Sequence, residues 1–551
     1  MPDFLKKLDD FAGIKTENNF ARLLERVAFI FLILMVLSAP HSIAATQISW
    51  LTGMFVWVIR LFIKPRPKLI KTPLDTALWA FFGWSVVSSV FSYAPDISID
   101  RLRNVALFLI FYFVVNNLRN VRSVKFLASA LIFSCMVNVL WTPIERIFGR
   151  GVEVSGVKTE SPLAKALVIE GASITEGDTI IEVDKKKIRT PEDLIAELER
   201  KDISRVKFYR PDFNSIIEVR RADLLNGENA VEKLGIITWK HSRNWRSAGF
   251  YGHYTTYAEV LQLIASLTFG LFIAGLGRKR EEGKIREELS TENKSVGAFF
   301  SPTFLPFSST SLLLFCLTGM AFALLLTVTR ASQLAFLVSV FAIVLANGSR
   351  KMLLTLAAII LPIVLVGLIF LQQSRKVGFF DTQDESTKWR QTVYREGFDL
   401  WTANPRHFFL GVGMDSIQRY AKEWRLFDNG RLPMGHFHST PLQLVVERGL
   451  PALLLWLLIL WIYARILLRN LKFQIPDSRF QIENPQSTIH NPQSSNWQTR
   501  GIILGGFGSL IGFFTSGLVH YNLGDAEVAM VFFMLMGLSI SLCNFKFQIP
   551  N

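Results

Sequence analysis

Cysteine is scarce. The 551 residues hold three, Cys135, Cys316 and Cys543. All lie in apolar runs at spacings that suggest neither a metal site nor a disulfide framework, so they read as small apolar fillers. No Asp-x-Asp pair and no His/Cys cluster offers metal ligands, and chemistry without metal or cofactor is expected. The first 26 residues, MPDFLKKLDDFAGIKTENNFARLLER, lack a signal-peptide cleavage pattern, so the first apolar run is expected to stay as a span. Acidic residues are outnumbered, 45 against 60 basic, which leaves a net charge of +15. That surplus excludes little by itself, but it is not a nucleic-acid footprint. Much of it sits in short loops between apolar runs, where basic residues mark the cytoplasmic side. Charges deep in the spans are few and no span-level repeat is evident, which argues against a transporter.

What the chain has is apolar length. Half of its residues are hydrophobic and 13% are aromatic. A crossing needs about 20 apolar residues, and runs of that order recur. About twelve spans are expected, near 23–40, 44–63, 73–92, 103–117, 125–146, 255–276, 309–328, 331–347, 352–371, 441–468, 501–520 and 526–543. The fold class is therefore a polytopic α-helical membrane protein. The loops KPRPKLIK, NNLRNVRSVK and RKREEGKIREELSTENK are basic and predicted inside; YAPDISID is acidic and predicted outside. Both termini then lie in the cytoplasm. The domains expected are 1–149 (spans one to five), 150–223 (an exterior insert), 224–371 (an exterior loop and spans six to nine), 372–440 (a large exterior loop) and 441–551. Within the last, 470–500 is polar and repeats NPQS, and it reads as a disordered linker.

Residues 150–223 contain no span-length run and alternate short β-rich pieces with charged turns. The segment SPLAKALVIEGASITEGDTIIEVDKKKIRTPEDLIAELERK resembles a PDZ domain of the bacterial protease-associated type. The resemblance rests on Ser161-Pro162 opening a short helix, Gly177-Asp178 before the strand TIIEV, and TPEDL opening a second helix at Thr190. The last strands would be RVKFYRP and SIIEVRRA. It implies a small α+β module that takes a protein partner as an added strand. The spacing from the first helix to Gly177-Asp178 is longer than usual, and a Gly-Leu-Gly-Phe-like carboxylate loop is missing.

The polar stretch from Lys388 to Trp456 interrupts the apolar second half. It carries Arg390, Arg395, Arg406, Arg419, Arg425 and Arg431, then His436 and His438, and it leads into a hydrophobic helix. Cations at the lip of a bilayer suit a substrate with an anionic head and a lipid tail. Residues 386–404 read as a helix stopping before Pro405, with Arg390, Tyr394, Phe398 and Trp401 on one face. Such a face also suits a snorkelling arginine on an interfacial helix. Arg330 falls between two apolar runs at an outer boundary, where basic residues are disfavoured. His438 stands at the start of a span, where an unperturbed imidazole, titrating near pH 6.5, could accept a proton or bind an anion, with His436 as its competitor.

The sequences TVTRA around Arg330, Arg390 with Tyr394 and the downstream NP-GVG, and HSTPLQ from His438 together resemble the O-antigen ligase and polymerase superfamily. The loop RSAGFYGHYTTYAEVL, with Arg246, resembles that family's exterior Arg-x-x-Gly-Phe segment. Ser439 stands where asparagine is common and Tyr394 where tryptophan is common, and the insert is outside the usual plan. The resemblance implies transfer of a glycan from undecaprenyl diphosphate to an acceptor such as lipid A-core at the periplasmic face of the bacterial inner membrane. Arg330 and Arg390 would bind the diphosphate, and His438 would activate the acceptor hydroxyl or assist at the phosphate. Arg246, Tyr394, Arg395 and His436 would line the substrate. Transfer onto another carrier-linked repeat, or onto a protein, remains open, as does a membrane scaffold displaying the insert.

Overall fold

The computed structural model describes residues 2–210, 213–243, 245–292, 309–348, 354, 358, 385–432, 435–472 and 497–544. The expected span near 352–371 and the polar linker 473–496 fall outside these residues. Two compact units make up the chain. Met1–Met136, Phe250–Leu325 and Thr329–Asn551 form one; Val137–Gly249 and Leu326–Val328 form the other.

The first unit is helical. Among the described residues, six helices are long and apolar enough to cross a membrane: Ile43–Phe62, Val121–Phe148, Tyr254–Arg278, Arg330–Asn347, Thr440–Lys472 and Ala526–Cys543. The protein is polytopic, but fewer segments meet that standard than the expected twelve. The reasons are local. Asn19–Ser38 brings Arg22, Glu25 and Arg26 into its first half. Asp75–Val90 has 16 residues, about 24 Å of helix against a hydrocarbon core of about 30 Å. The segment expected at 103–117 breaks into Leu102–Val105, a 3-10 turn Ala106–Phe108 and Leu109–Asn117. Thr310–Leu326 is apolar but shorter than the six.

Helix Trp497–Gly517 is rich in glycine and lies against Tyr254–Glu292 with backbones almost touching. A Cβ on Gly270 would meet the Gly505 nitrogen at 2.3 Å, and one on Gly505 would meet Leu267 Cα at 2.6 Å. Small residues permit such approach, which supplies van der Waals contact where lipid leaves no hydrophobic drive between helices. Gly505→Val should therefore overpack this seam and cost about 1–3 kcal/mol. Thermal unfolding in detergent measures it; an unchanged Tm would contradict the packing.

Helix direction places the loops. Arg500 donates to Asn347 Oδ1 (3.1 Å) and to the Leu471 carbonyl (3.4 Å). The C-terminal ends of Arg330–Asn347 and Thr440–Lys472 thus meet, so Arg330 and His438 lie at the other, shared end. At that end the GVG loop docks on the Thr440 helix. The amides of Val412 and Gly413 donate to the carbonyls of Val446 and Glu447, both 2.8 Å. Gly449 at φ +73° breaks the helix there, and a Cβ on it would strike the Phe409 carbonyl at 2.0 Å. Ser88 and Ser98 donate to the Leu410 and Met414 carbonyls, both 2.8 Å, pinning the same loop from the other side.

The second unit is α+β. Its strands are β1 Arg150–Val157, β2 Leu167–Glu170, β3 Thr179–Val183, β4 Lys186–Lys187, β5 Ile203–Arg210, β6 Phe213–Arg220 and β7 Ile236–Ser242. The sheet order is β2-β6-β5-β3-β1-β7, with β4 on β3, and the pairs are antiparallel. Val152, Ile180, Leu194, Val206, Phe208 and Ile217 fill its core. Thr190 caps Pro191–Leu198 through a capping box with Asp193. Two expectations need correction. Ser161-Pro162 opens only a hydrogen-bonded turn, because Ser161 turns its hydroxyl to the Leu234 carbonyl (2.6 Å). The module also runs past residue 223: helix Ala230–Leu234 and β7 belong to it, and β7 pairs with β1. Only the two ends of β7 are buried, so its sequence lacks the alternation that marks a strand.

Candidate active site

The polar stretch folds as a cap of short helices. Glu385–Thr402 forms the expected helix, and Asn404 caps the next one, Pro405–Leu410, by accepting from the His407 amide (2.9 Å). Glu396 turns its carboxylate to the amides of Phe427 (2.6 Å) and Asp428 (3.0 Å), residues held in left-handed conformation. Beneath lies a core of Val393, Val412, Phe427, Phe437 and Val446.

His438 occupies the junction between this cap and the Thr440 helix. Phe437 before it is fully buried, and its amide donates to Gln443 Oε1 (2.8 Å). Gln443 Nε2 in turn donates to Glu447 Oε1 (2.8 Å), which also accepts from the Asp415 amide (3.0 Å). Asp415 is paired with Arg101. The Tyr394 hydroxyl donates to the His438 carbonyl (2.9 Å). His438 itself sits at φ +47°. That conformation is rare outside glycine and costs on the order of 1–3 kcal/mol, which the surrounding contacts must offset.

The His438 ring is held edge-on by Trp389, centroids 4.7 Å apart, and lies 4.1 Å from the His436 ring. Burial pushes its pKa down from the usual 6.5, and the nearby His436, His520, Arg390 and His253 push it further, to about 2. Burial also lowers His436, against the opposing charges of Asp415 and Asp525. Burial raises the Tyr394 hydroxyl although Arg390 pulls it down, so Tyr394 stays a donor. The result is a pair of neutral imidazoles beside a guanidinium. An unfolded chain would protonate these histidines below about pH 6.5 while the folded one resists. Stability from them is therefore complete above that pH and falls as the pH drops, by up to about 1.4 kcal/mol per unit for each ring. Tm measured from pH 7.5 to 5 should decline, and less so in His436→Gln; a flat profile would contradict the burial.

The structure brings His438, His436, Arg390 and Tyr394 together. Arg390 Nε is shielded from solvent and has no hydrogen-bond partner among the described residues. Arg330 opens its helix at the same end, half-buried, after Val328 at φ +54°. Arg395 is not part of the group. It points away, exposed, with Asp399 at 3.9 Å, because five residues turn a helix well off the Arg390 face. Arg246 lies in the α+β unit, where its amide donates to the Tyr209 hydroxyl (3.0 Å). Trp401 keeps its place on the shared face, its ring 5.6 Å from that of Phe398, and also stacks on Phe408. Sequence reading missed Trp389, Glu447 and Tyr521. The Tyr521 and His436 ring centroids are 5.7 Å apart, edge to face, and the Tyr521 hydroxyl donates to Glu447 Oε2 (3.4 Å). Gln443 and Glu447, four apart within an apolar helix, were the available signal.

The stretch that builds this cap and the helices beside it also matches a known family. Residues 314–457 match the family model described as O-antigen ligase. The matched stretch contains Arg330, Arg390, Tyr394, Arg395, His436 and His438, whereas Arg246 lies before it. A comparison with curated proteins finds no match. The family match, in a polytopic helical protein, supports a membrane glycosyltransferase-like role with lipid-linked glycan substrates.

Proposed function

We propose that the protein transfers a glycan from undecaprenyl diphosphate to an acceptor hydroxyl at the periplasmic face of the bacterial inner membrane, and that lipid A-core is the acceptor. The observation that carries this reading is the His438 ring packed between Trp389 and His436, with Tyr394 on its carbonyl and Arg390 nearby, inside the stretch that matches the O-antigen ligase family model. Arg390 and Arg330 each present a planar fork suited to phosphate oxygens. The acceptor oxygen attacks the anomeric carbon as the bond from that carbon to the diphosphate oxygen breaks. The acceptor proton passes to the His438 ring, and undecaprenyl diphosphate leaves with its charge held by the arginines. A single displacement of this kind inverts the anomeric carbon. Around this site we place about twelve spans with both termini cytoplasmic and the α+β unit as a PDZ-like periplasmic module. A protein acceptor is the second reading, favoured by that folded module.

Reconstituted protein given a defined carrier-linked donor and lipid A-core tests the reading. A capped lipid is the expected product. Polymer or glycoprotein would replace the acceptor, and an unconsumed donor would remove the transferase assignment.

A further inference from the structure

A second charged site lies at the opposite end of the helical unit. The helix Asp75–Val90 reaches the GVG loop through Ser88, so Asp75 marks the far end, where it accepts from the Tyr112 hydroxyl (3.1 Å). There Glu25, almost fully buried, accepts from Arg60 and Arg119, both at 2.7 Å, and from Thr16 at 2.9 Å. Two guanidiniums thus share one carboxylate. Beside them opens a cavity of about 830 Å³ whose charged lining is Lys15, Lys64, Arg119 and Glu17. Asn18 closes one side by donating to the Lys64 carbonyl (3.0 Å). The ammonium groups of Lys15 and Lys64 are exposed and make no ion pair among the described residues. Three cations therefore line the cavity with one carboxylate, and Arg119 is shared with the buried Glu25 behind it.

The helix Pro2–Ala12 packs next to this cavity. The Phe11 carbonyl accepts from Asn120 (2.6 Å), and Arg26 forks onto Asp9 at 2.6–2.7 Å. It is amphipathic, with Phe4 exposed and Asp3, Lys6, Lys7 and Asp10 on its polar side. Such a helix lies in the headgroup plane of a bilayer. Cavity and headgroups then share one level, and basic pockets between helix ends recognise anionic lipid heads. We propose that this cavity binds the phosphate headgroup of an anionic phospholipid. It is separate from the His438 site and does not depend on the reaction assigned there.

Native mass spectrometry of the full-length protein, titrated with phosphatidylglycerol and with zwitterionic phosphatidylcholine, tests this. Phosphatidylglycerol should be retained preferentially. A basic residue near an anionic surface contributes about fivefold, so the double variant Lys15→Gln/Lys64→Gln should lose at least about tenfold in apparent affinity. Both lysines are exposed and the Glu25 contacts remain, so Tm should be unchanged. Equal retention of the two lipids, or wild-type binding by the double variant, would overturn the proposal. Displacement by millimolar inorganic phosphate would contradict the lipid source and assign the site to a soluble anion.

Discussion

Replacing His438 by asparagine lowers glycan transfer by about 10²–10⁴-fold, the usual contribution of a positioned general base. Asparagine is the informative substitution because His438 occupies φ +47°. Asparagine tolerates that region, whereas alanine would add backbone strain to the loss of the base. The backbone amide and carbonyl at 438, which meet His436 and Tyr394, are kept. Rates normalised to inserted protein, together with an unchanged Tm, separate chemistry from misfolding. A rate within threefold of wild type would assign the base elsewhere, with His436 as the nearest substitute.

Arg390→Ala carries the second large effect. Removing a preorganised donor from developing charge costs about 10²–10³-fold in kcat. Arg390→Lys should recover part of it, since an ammonium keeps the charge but loses the planar fork. The same change alters His438. Burial does most to keep that imidazole deprotonated and the Arg390 charge adds to it, so Arg390→Ala should raise the His438 pKa, read from the ring's NMR titration. A purely structural arginine would leave that titration in place. Arg395→Ala should be near neutral, because Arg395 stands exposed on another side of its helix.

The parts of this architecture that could be read from sequence are those written in one local pattern. Long apolar runs marked membrane helices, and TPEDL marked the capped helix at Thr190. The helix carrying Arg390 and Tyr394 was legible up to its break before Pro405. Non-local features were not. The addition of β7 depends on its pairing with β1, distant in the chain. Within the site, His438 and Arg390 stood out as charges near apolar runs. Glu447 was hidden because its role shows only once Gln443 and the amides of Phe437 and Asp415 are folded around it. Arg395 looked equivalent to Arg390 in composition and differs only by its angle on the helix.

The most direct measurement of the central claim is the anomeric configuration of the linkage formed when the reconstituted protein consumes a carrier-linked glycan of known configuration. Inversion, with undecaprenyl diphosphate released in equal amount, is the result expected from an acceptor hydroxyl activated by His438 in one displacement. Retention, or a product formed without release of the prenyl diphosphate, would contradict it.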